Sequence, residues 1–353
     1  MLLSIDKVVT SEVFLGIEED QYRSSKYENV RDDLKVAPTI MNIITVDKNG
    51  YGNFNTIQAA IDSVPLGNNN WIKVQISSGI YTYCREKVTI PPEKPYIYLE
   101  GKGREQTIIA FNDHESTDTS ATFSSYPNNV VAKAISFKNS YNRAVRDFSW
   151  NDGIGSNSNV TQAVAARIYG DKSAFFECGF LGLQDTLWDV TGRHYFENCY
   201  IEGAMDFIFG YAQSYYENSW INVTVGMVPE TNVGYITAQG RASPSDPGGF
   251  VFRQGSVFGS GQVLLGRAYG AYSRVIFHGT DLGSIVAPQG WDAWLHQGEE
   301  DKFTYAEVDC KGPGSDTSKR VAWEKKLSDS LINDEYSRSS FIDQDGWIAK
   351  LPQ

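Results

Sequence analysis

Three short segments of the chain echo one another: Phe176-Glu177-Cys178-Gly179-Phe180, Phe196-Glu197-Asn198-Cys199-Tyr200-Ile201 and Tyr216-Glu217-Asn218-Ser219-Trp220-Ile221. Their glutamates lie 20 residues apart, while Cys178 and Cys199, Gly182 and Gly203, and Asp185 and Asp206 each lie 21 apart. Short β-prone pieces recurring at a fixed period are the mark of a solenoid, in which each unit buries its apolar face against the next. Little helix accompanies them, so the expected form is a parallel β-helix with coils of roughly 20 residues. A β-sandwich of hairpins is the alternative. It needs Asn-Gly or Asp-Gly turns between alternating runs, and this stretch has few.

Outward from the repeat, one helix is clear. In Asn55-Thr56-Ile57-Gln58-Ala59-Ala60-Ile61-Asp62-Ser63-Val64-Pro65 the apolar residues Ile57, Ala60, Ile61 and Val64 fall at i, i+3, i+4 and i+7. Asn55 or Thr56 serves as the N-cap and Pro65 marks the end. Such a helix is placed to cover the open end of the stack and its unpaired strand edges. Residues 1–40 are charged and irregular and read as a poorly ordered arm, leaving 41–353 as the β-helix domain.

Composition narrows the partners. The 353 residues carry 31 Lys and Arg against 43 Asp and Glu, a net charge of −12, which disfavours nucleic acid and anionic membranes. Aromatic residues make up 13% of the chain, a supply that suits sugar-stacking grooves and large cores alike. No apolar run reaches the length of a membrane span. The start, MLLSIDKVVTSEVFLG, is broken by Asp6 and Lys7 and lacks the pattern of a signal peptide. Two sequons occur, at Asn159 and Asn222. Cys84, Cys178, Cys199 and Cys310 form no CxxC pair, and the four histidines are scattered, so no metal is expected; His194 reads as structural.

A solenoid turns sequence period into spatial neighbourhood, because adjacent parallel strands lie about 4.8 Å apart. Asp185 and Asp206 then sit on neighbouring coils and face the same side. Two carboxyls that close resist joint ionisation, so their pKa values split and one residue type supplies both an acid and a base or nucleophile. The plain alternative is two unrelated turn aspartates. Gln184 precedes Asp185, and Gln162 lies 22 residues earlier, about one coil; their amides suit an oxyanion. Arg267 is a candidate to hold one carboxylate ionised.

Four segments occur in the order and spacing of one family: Gln162-Ala163-Val164-Ala165, Gln184-Asp185-Thr186-Leu187, Asp206-Phe207-Ile208-Phe209-Gly210 and Leu265-Gly266-Arg267. Thr237-Ala238-Gln239-Gly240-Arg241, Gly290-Trp291-Asp292-Ala293-Trp294, Gly312-Pro313-Gly314-Ser315 and Phe341-Ile342-Asp343 extend the likeness from about Ile43 to Trp347. On these the chain resembles plant members of the pectin methylesterase (pectinesterase) family.

The resemblance implies a right-handed parallel β-helix that hydrolyses the methyl esters of galacturonate in pectin, without a cofactor, at the cell wall. It implies Asp206 as nucleophile, Asp185 as proton donor and then general base, and Gln162 and Gln184 as oxyanion donors, with Arg267 pairing with Asp206. It further implies a monomer, with a proteinaceous pectinesterase inhibitor as a candidate partner. Gln162, Arg267, Tyr269, Trp291 and Phe207 are the expected substrate contacts. Trp188 and Trp294 are further candidates for the groove wall; each of these aromatics is open to a place in the core instead, with Trp291 and Tyr269 the favoured groove residues. Cys178 and Cys199 stack in this scheme and are open either to a disulfide between coils or to two buried thiols.

Three departures stand out. Tyr269 occupies a position where the family usually has Trp. Thr82-Tyr83-Cys84 reads as an insertion after Gly79-Ile80-Tyr81. Only about 40 residues precede the catalytic domain, too few for the inhibitor-like pro-region of many plant members. A β-helix glycosidase is the rival enzyme reading, but Gly-His-Gly and Arg-Ile-Lys are absent. No Gly-x-Ser-x-Gly elbow supports a serine esterase. A pectin-binding protein without catalysis is the rival from another class.

Overall fold

After the first, every strand pairs in parallel with the third strand following it. That rule generates three sheets, of ten, eight and eight strands among the described residues, and it defines a parallel β-helix. The computed structural model describes residues 40–82, 87–142, 160–228 and 231–352. The N-terminal arm and the core of the insertion, Tyr83 and Cys84, therefore lie outside the described residues, and the first strand opens at Ile40.

Register gives the coil length. Ala174 lies beside Tyr195 and Leu187 beside Ile208, both 21 residues on, while Arg193 lies beside Gln213, 20 residues on. Inside the ten-stranded sheet Phe175, Phe196, Tyr216, Phe252 and Phe277 occupy one column. Their rings stack face to face, with successive centroids 5.0, 4.5, 4.6 and 4.4 Å apart. Burying one such ring contributes about 1.5–3 kcal/mol, and offset stacking adds about 0.5–1.5 kcal/mol per pair. This column fixes how successive coils sit on one another.

The glutamate alignment at 20 needs one correction. Phe176, not Glu177, faces Glu197. Glu177 instead matches Asn198, because both turn the same corner with positive φ, as do Asn218 and Gln254. Each corner amide donates to a carbonyl of the next coil, at 2.9, 3.0, 2.9 and 2.8 Å. Asn tolerates this left-handed backbone better than most residues, which accounts for the Glu-Asn pairs in the sequence.

Cys178 and Cys199 stack as expected but are not bonded to each other: both are free thiols in the core. Each thiol turns to its own acceptor, Cys178 to the Phe176 carbonyl at 3.4 Å and Cys199 to the Phe175 carbonyl at 3.3 Å. His194 is fully buried between Asp189 and the Gly170 carbonyl, and Tyr216 donates to the second oxygen of Asp189 at 2.6 Å.

The helix Ile57–Ser63 closes the end of the stack. Thr56 caps it, accepting from the Ala59 amide at 3.2 Å. Gln58 accepts from the Thr89 amide at 2.7 Å and donates to the Thr89 carbonyl at 3.1 Å. Thr89 lies on the edge strand Val88–Ile90, so one side chain satisfies both of its outward backbone groups. Along the flank, an outer stripe of the ten-stranded sheet that includes Tyr98, Val131, Tyr195 and Tyr215 belongs to one apolar cluster with Ile332, Tyr336, Phe341 and Trp347 of the C-terminal segment.

The buried Lys94 ammonium donates to the Ile61 and Asp62 carbonyls at 2.9 and 2.8 Å, satisfying the C-terminus of the capping helix. Lys94→Met is expected to lower stability by about 1.5–3 kcal/mol, read as an earlier urea midpoint at unchanged slope. An unchanged midpoint would show that the helix does not seal the stack.

Candidate active site

One eight-stranded sheet carries the site. Its strands include Ala166–Ile168, Leu187–Asp189, Ile208–Gly210, Val233–Gln239, Gln262–Ala268 and Trp291–Asp292. Arg167, Trp188, Phe209, Ala238, Arg267 and Asp292 share one column. The column beside it, Ala166, Leu187, Ile208, Thr237, Gly266 and Trp291, is buried throughout, so the two columns face opposite ways.

Asp185 and Asp206 stand at the corner where the chain enters this sheet. The Asp185 amide donates to the Met205 carbonyl at 3.1 Å, and Gln184 bridges to Met205, which places the two aspartates side by side on adjacent coils. Both have positive φ, 58° and 48°. A non-glycine residue held there costs of order 1–3 kcal/mol and persists only where the surroundings impose it. The turn aims both carboxyls out of the core, yet only 9% and 8% of the two residues is accessible.

Arg267, 61 positions beyond Asp206 in sequence, reaches back to it. Its Nε donates to Asp206 Oδ1 at 2.8 Å and its Nη2 donates to Oδ2. This two-point pairing matches the flat guanidinium to the carboxylate. Aromatic rings cover the guanidinium: Trp294 at 3.9 Å and Tyr235 at 4.3 Å from ring centre to charge.

The two carboxyls are unequal in consequence. Burial, then the neighbouring Asp206 charge, pushes Asp185 up to about 8, and Arg267 opposes this only in part. Burial also raises Asp206, but there the Arg267 hydrogen bonds and charge act directly against the rise. The two-point guanidinium contact favours the charged form of Asp206, whereas Asp185 has no such contact, so the pair is arranged to keep its shared proton on Asp185.

Gln184 is half-buried and Gln162 exposed, one coil apart; the Ala163 amide, next to Gln162, donates to the Gln184 carbonyl at 3.2 Å. Tyr269 is 42% exposed and stacks on Trp294, with centroids 6.0 Å apart. Two expected contacts are misplaced. Trp291 is 1% exposed and stacks on Tyr305 inside the helix, because it shares the inward column of Gly266. Phe207 is fully buried, since its side chain turns inward immediately after Asp206. Trp188 is half-buried and stacked on Phe209 at 5.3 Å.

Tyr211 and Tyr235 are additional site residues without a motif to announce them. Tyr211, 40% exposed, meets Tyr269 at 5.8 Å across Gly240. A Cβ at Gly240 would come within 2.5 Å of the Tyr211 ring, so this aromatic pair depends on the glycine between its members. The alignment of columns two coils apart was the signal that could have found it.

Comparison with known proteins agrees with the geometry. The Pectinesterase family profile matches residues 43–345. Putative pectinesterase 10 of Arabidopsis thaliana is 49% identical over 315 residues, covering 89% of this chain and 88% of that protein. Probable pectinesterase 29 of the same plant is 48% identical, covering 88% and 89%. Among solved structures, pectin methylesterase from carrot superposes with a TM-score of 0.78 at 28% identity, covering 90% of this chain and 98% of its own.

Because folding raises the Asp185 pKa, protonated Asp185 favours the folded state; that contribution is present below the ordinary carboxyl range and lost as pH rises through about 8. Infrared titration is expected to show one carboxyl ionising near pH 8, absent in Asp185→Asn and moved higher in Arg267→Met. No carboxyl ionising above about pH 6 would contradict the assignment.

Proposed function

The chain belongs to the pectinesterase family and is a carboxylic ester hydrolase that de-esterifies pectin; we propose that it does so through attack of Asp206 on the ester carbonyl. The observation that carries this reading is the unequal pair: Asp206 held by Arg267, with Asp185 beside it and its pKa pushed up to about 8.

In the first step an Asp206 oxygen bonds to the carbonyl carbon of a methyl galacturonate unit, and the carbonyl electrons move onto oxygen. The side-chain amides of Gln162 and Gln184 donate to that oxyanion. Among the described residues neither amide has a hydrogen-bond partner, which leaves both available. As the tetrahedral centre collapses, the bond to methoxide breaks and the Asp185 proton passes to it, giving methanol and an anhydride between Asp206 and the sugar acid.

In the second step a water attacks the same carbonyl. Asp185, now a carboxylate, takes the water's proton. Collapse returns Asp206 as a carboxylate beside Arg267 and releases de-esterified pectin. Asp185 ends protonated, ready for the next cycle. Ester and water have become acid and methanol, and no other reactant is needed.

Tyr269 and Tyr211 form the exposed aromatic surface beside Arg267 and are the proposed sugar contacts. We also place the enzyme at the plant cell wall, where its substrate resides; the plant origin of its relatives supports this.

The purified protein is expected to release methanol from methyl-esterified pectin while the polymer keeps its length. Polymer shortening without methanol would indicate a glycosidase instead. Asp206→Asn is expected to reduce methanol release by about 10³-fold or more, with the β-sheet circular dichroism unchanged. Activity retained in that variant would remove Asp206 from the nucleophile's role.

A further inference from the structure

The ion pair between Arg267 and Asp206 depends on where the guanidinium is held, and one residue outside the four active-site motifs controls that. Asp292 lies directly beside Arg267 in the sheet register. Its two carboxylate oxygens are spent on two different groups. Oδ2 accepts from the Tyr235 hydroxyl at 3.0 Å. Oδ1 accepts from the Trp294 backbone amide at 2.8 Å. These are the residues whose rings cover the Arg267 guanidinium.

The local chain explains how the second contact is made. Asp292-Ala293-Trp294 forms a turn in which the carboxylate holds the amide two residues on. Trp294 takes positive φ, 47°, which no bulky side chain adopts unprompted. With that backbone imposed, the indole lies over Arg267 at 3.9 Å and against Tyr269. On the other side, Tyr235 sits one strand away and is anchored by its hydroxyl. Both rings exclude water from the guanidinium, and a fixed cation is what a buried carboxylate needs to stay charged.

We infer that Asp292 is a positioning residue for the reaction: by holding Tyr235 and Trp294 against Arg267, it keeps the guanidinium aligned on Asp206. The inference rests on the reading of Asp206 as the nucleophile. Asp292 touches neither substrate nor reacting atoms in this role.

Two simpler roles predict different behaviour. If Asp292 acted only through its charge, removing it would take a negative group away from Asp206, and Asp206 would ionise at lower pH. If it served folding alone, the surviving folded protein would keep its pH profile. Loss of alignment instead weakens the Arg267 pairing, so Asp206 ionises at higher pH. The sign of the change on the acid side therefore separates the three.

The experiment is the pH dependence of kcat/KM for methanol release by the full chain, in wild type, Asp292→Ala, Asp292→Asn and Tyr235→Phe. Asp292→Ala is expected to lose about 10–100-fold, mainly in kcat, with the acid limb displaced upward by about half a pH unit or more. Asp292→Asn keeps an oxygen for the Trp294 amide and an amide facing the Tyr235 hydroxyl, so it is expected to recover most of that loss. Tyr235→Phe keeps the ring and loses only its anchor. It is expected to shift the limb the same way by less, which answers the question even if Asp292→Ala does not fold. An acid limb that stays in place or moves downward in both Asp292→Ala and Tyr235→Phe overturns the inference alone. Methanol release that survives Asp206→Asn overturns the reading of the site and this inference with it.

Discussion

Stacking of coils in register is the constraint on which everything else in this molecule depends. It is enforced by the column of rings from Phe175 to Phe277 and by the corner amides that bond from each coil to the next. A slip of one residue would turn every outward side chain of the site sheet inward. Asp185 and Asp206 are 21 positions apart, and Arg267 is 61 beyond the second, yet the stack brings all three together. No local motif could do this. The scaffold is rigid because its core is continuous, and rigidity is what a preorganised charge arrangement requires.

On that scaffold the chemistry follows from asymmetry. Two buried carboxyls on adjacent coils are unfavourable, since each must give up water and each repels the other. A single cation beside one of them breaks the equivalence. Asp206 has Arg267 along both of its oxygens; Asp185 has only a distant share of that charge. The proposed outcome is one carboxylate and one carboxylic acid from identical side chains, without any difference in residue type. The positive φ at both positions belongs to the same design, for it turns two aspartates out of a corner that would otherwise bury them.

Much of this was legible in the sequence, and the misses have definite causes. The 21-residue spacing exposed the aspartate pair, and the helical spacing of Ile57, Ala60, Ile61 and Val64 exposed the cap. The aromatic assignments went wrong at Trp291 and Phe207 because inward or outward direction is a property of register, not of residue type. Once Arg267 is seen to face Asp292, Trp291 must share the inward column of Gly266. Likewise the glutamates spaced 20 apart mask a corner at which Glu177 aligns with Asn198. Tyr211 is hidden for another reason. Its contact with Tyr269 exists because Gly240 contributes no side chain between them, and only the alignment of these three residues on successive coils signals it.

The central claim is that Asp206 becomes covalently joined to the sugar acid during turnover. Its most direct test is to run the enzyme on methyl-esterified pectin in the presence of hydroxylamine and search the digested protein by mass spectrometry. An anhydride at Asp206 is open to attack at either carbonyl, so the account predicts a hydroxamate on Asp206, formed only while substrate is being consumed. Methanol release at the normal rate with Asp206 unmodified, and no hydroxamate on the sugar acid, would contradict it and point to direct attack by water.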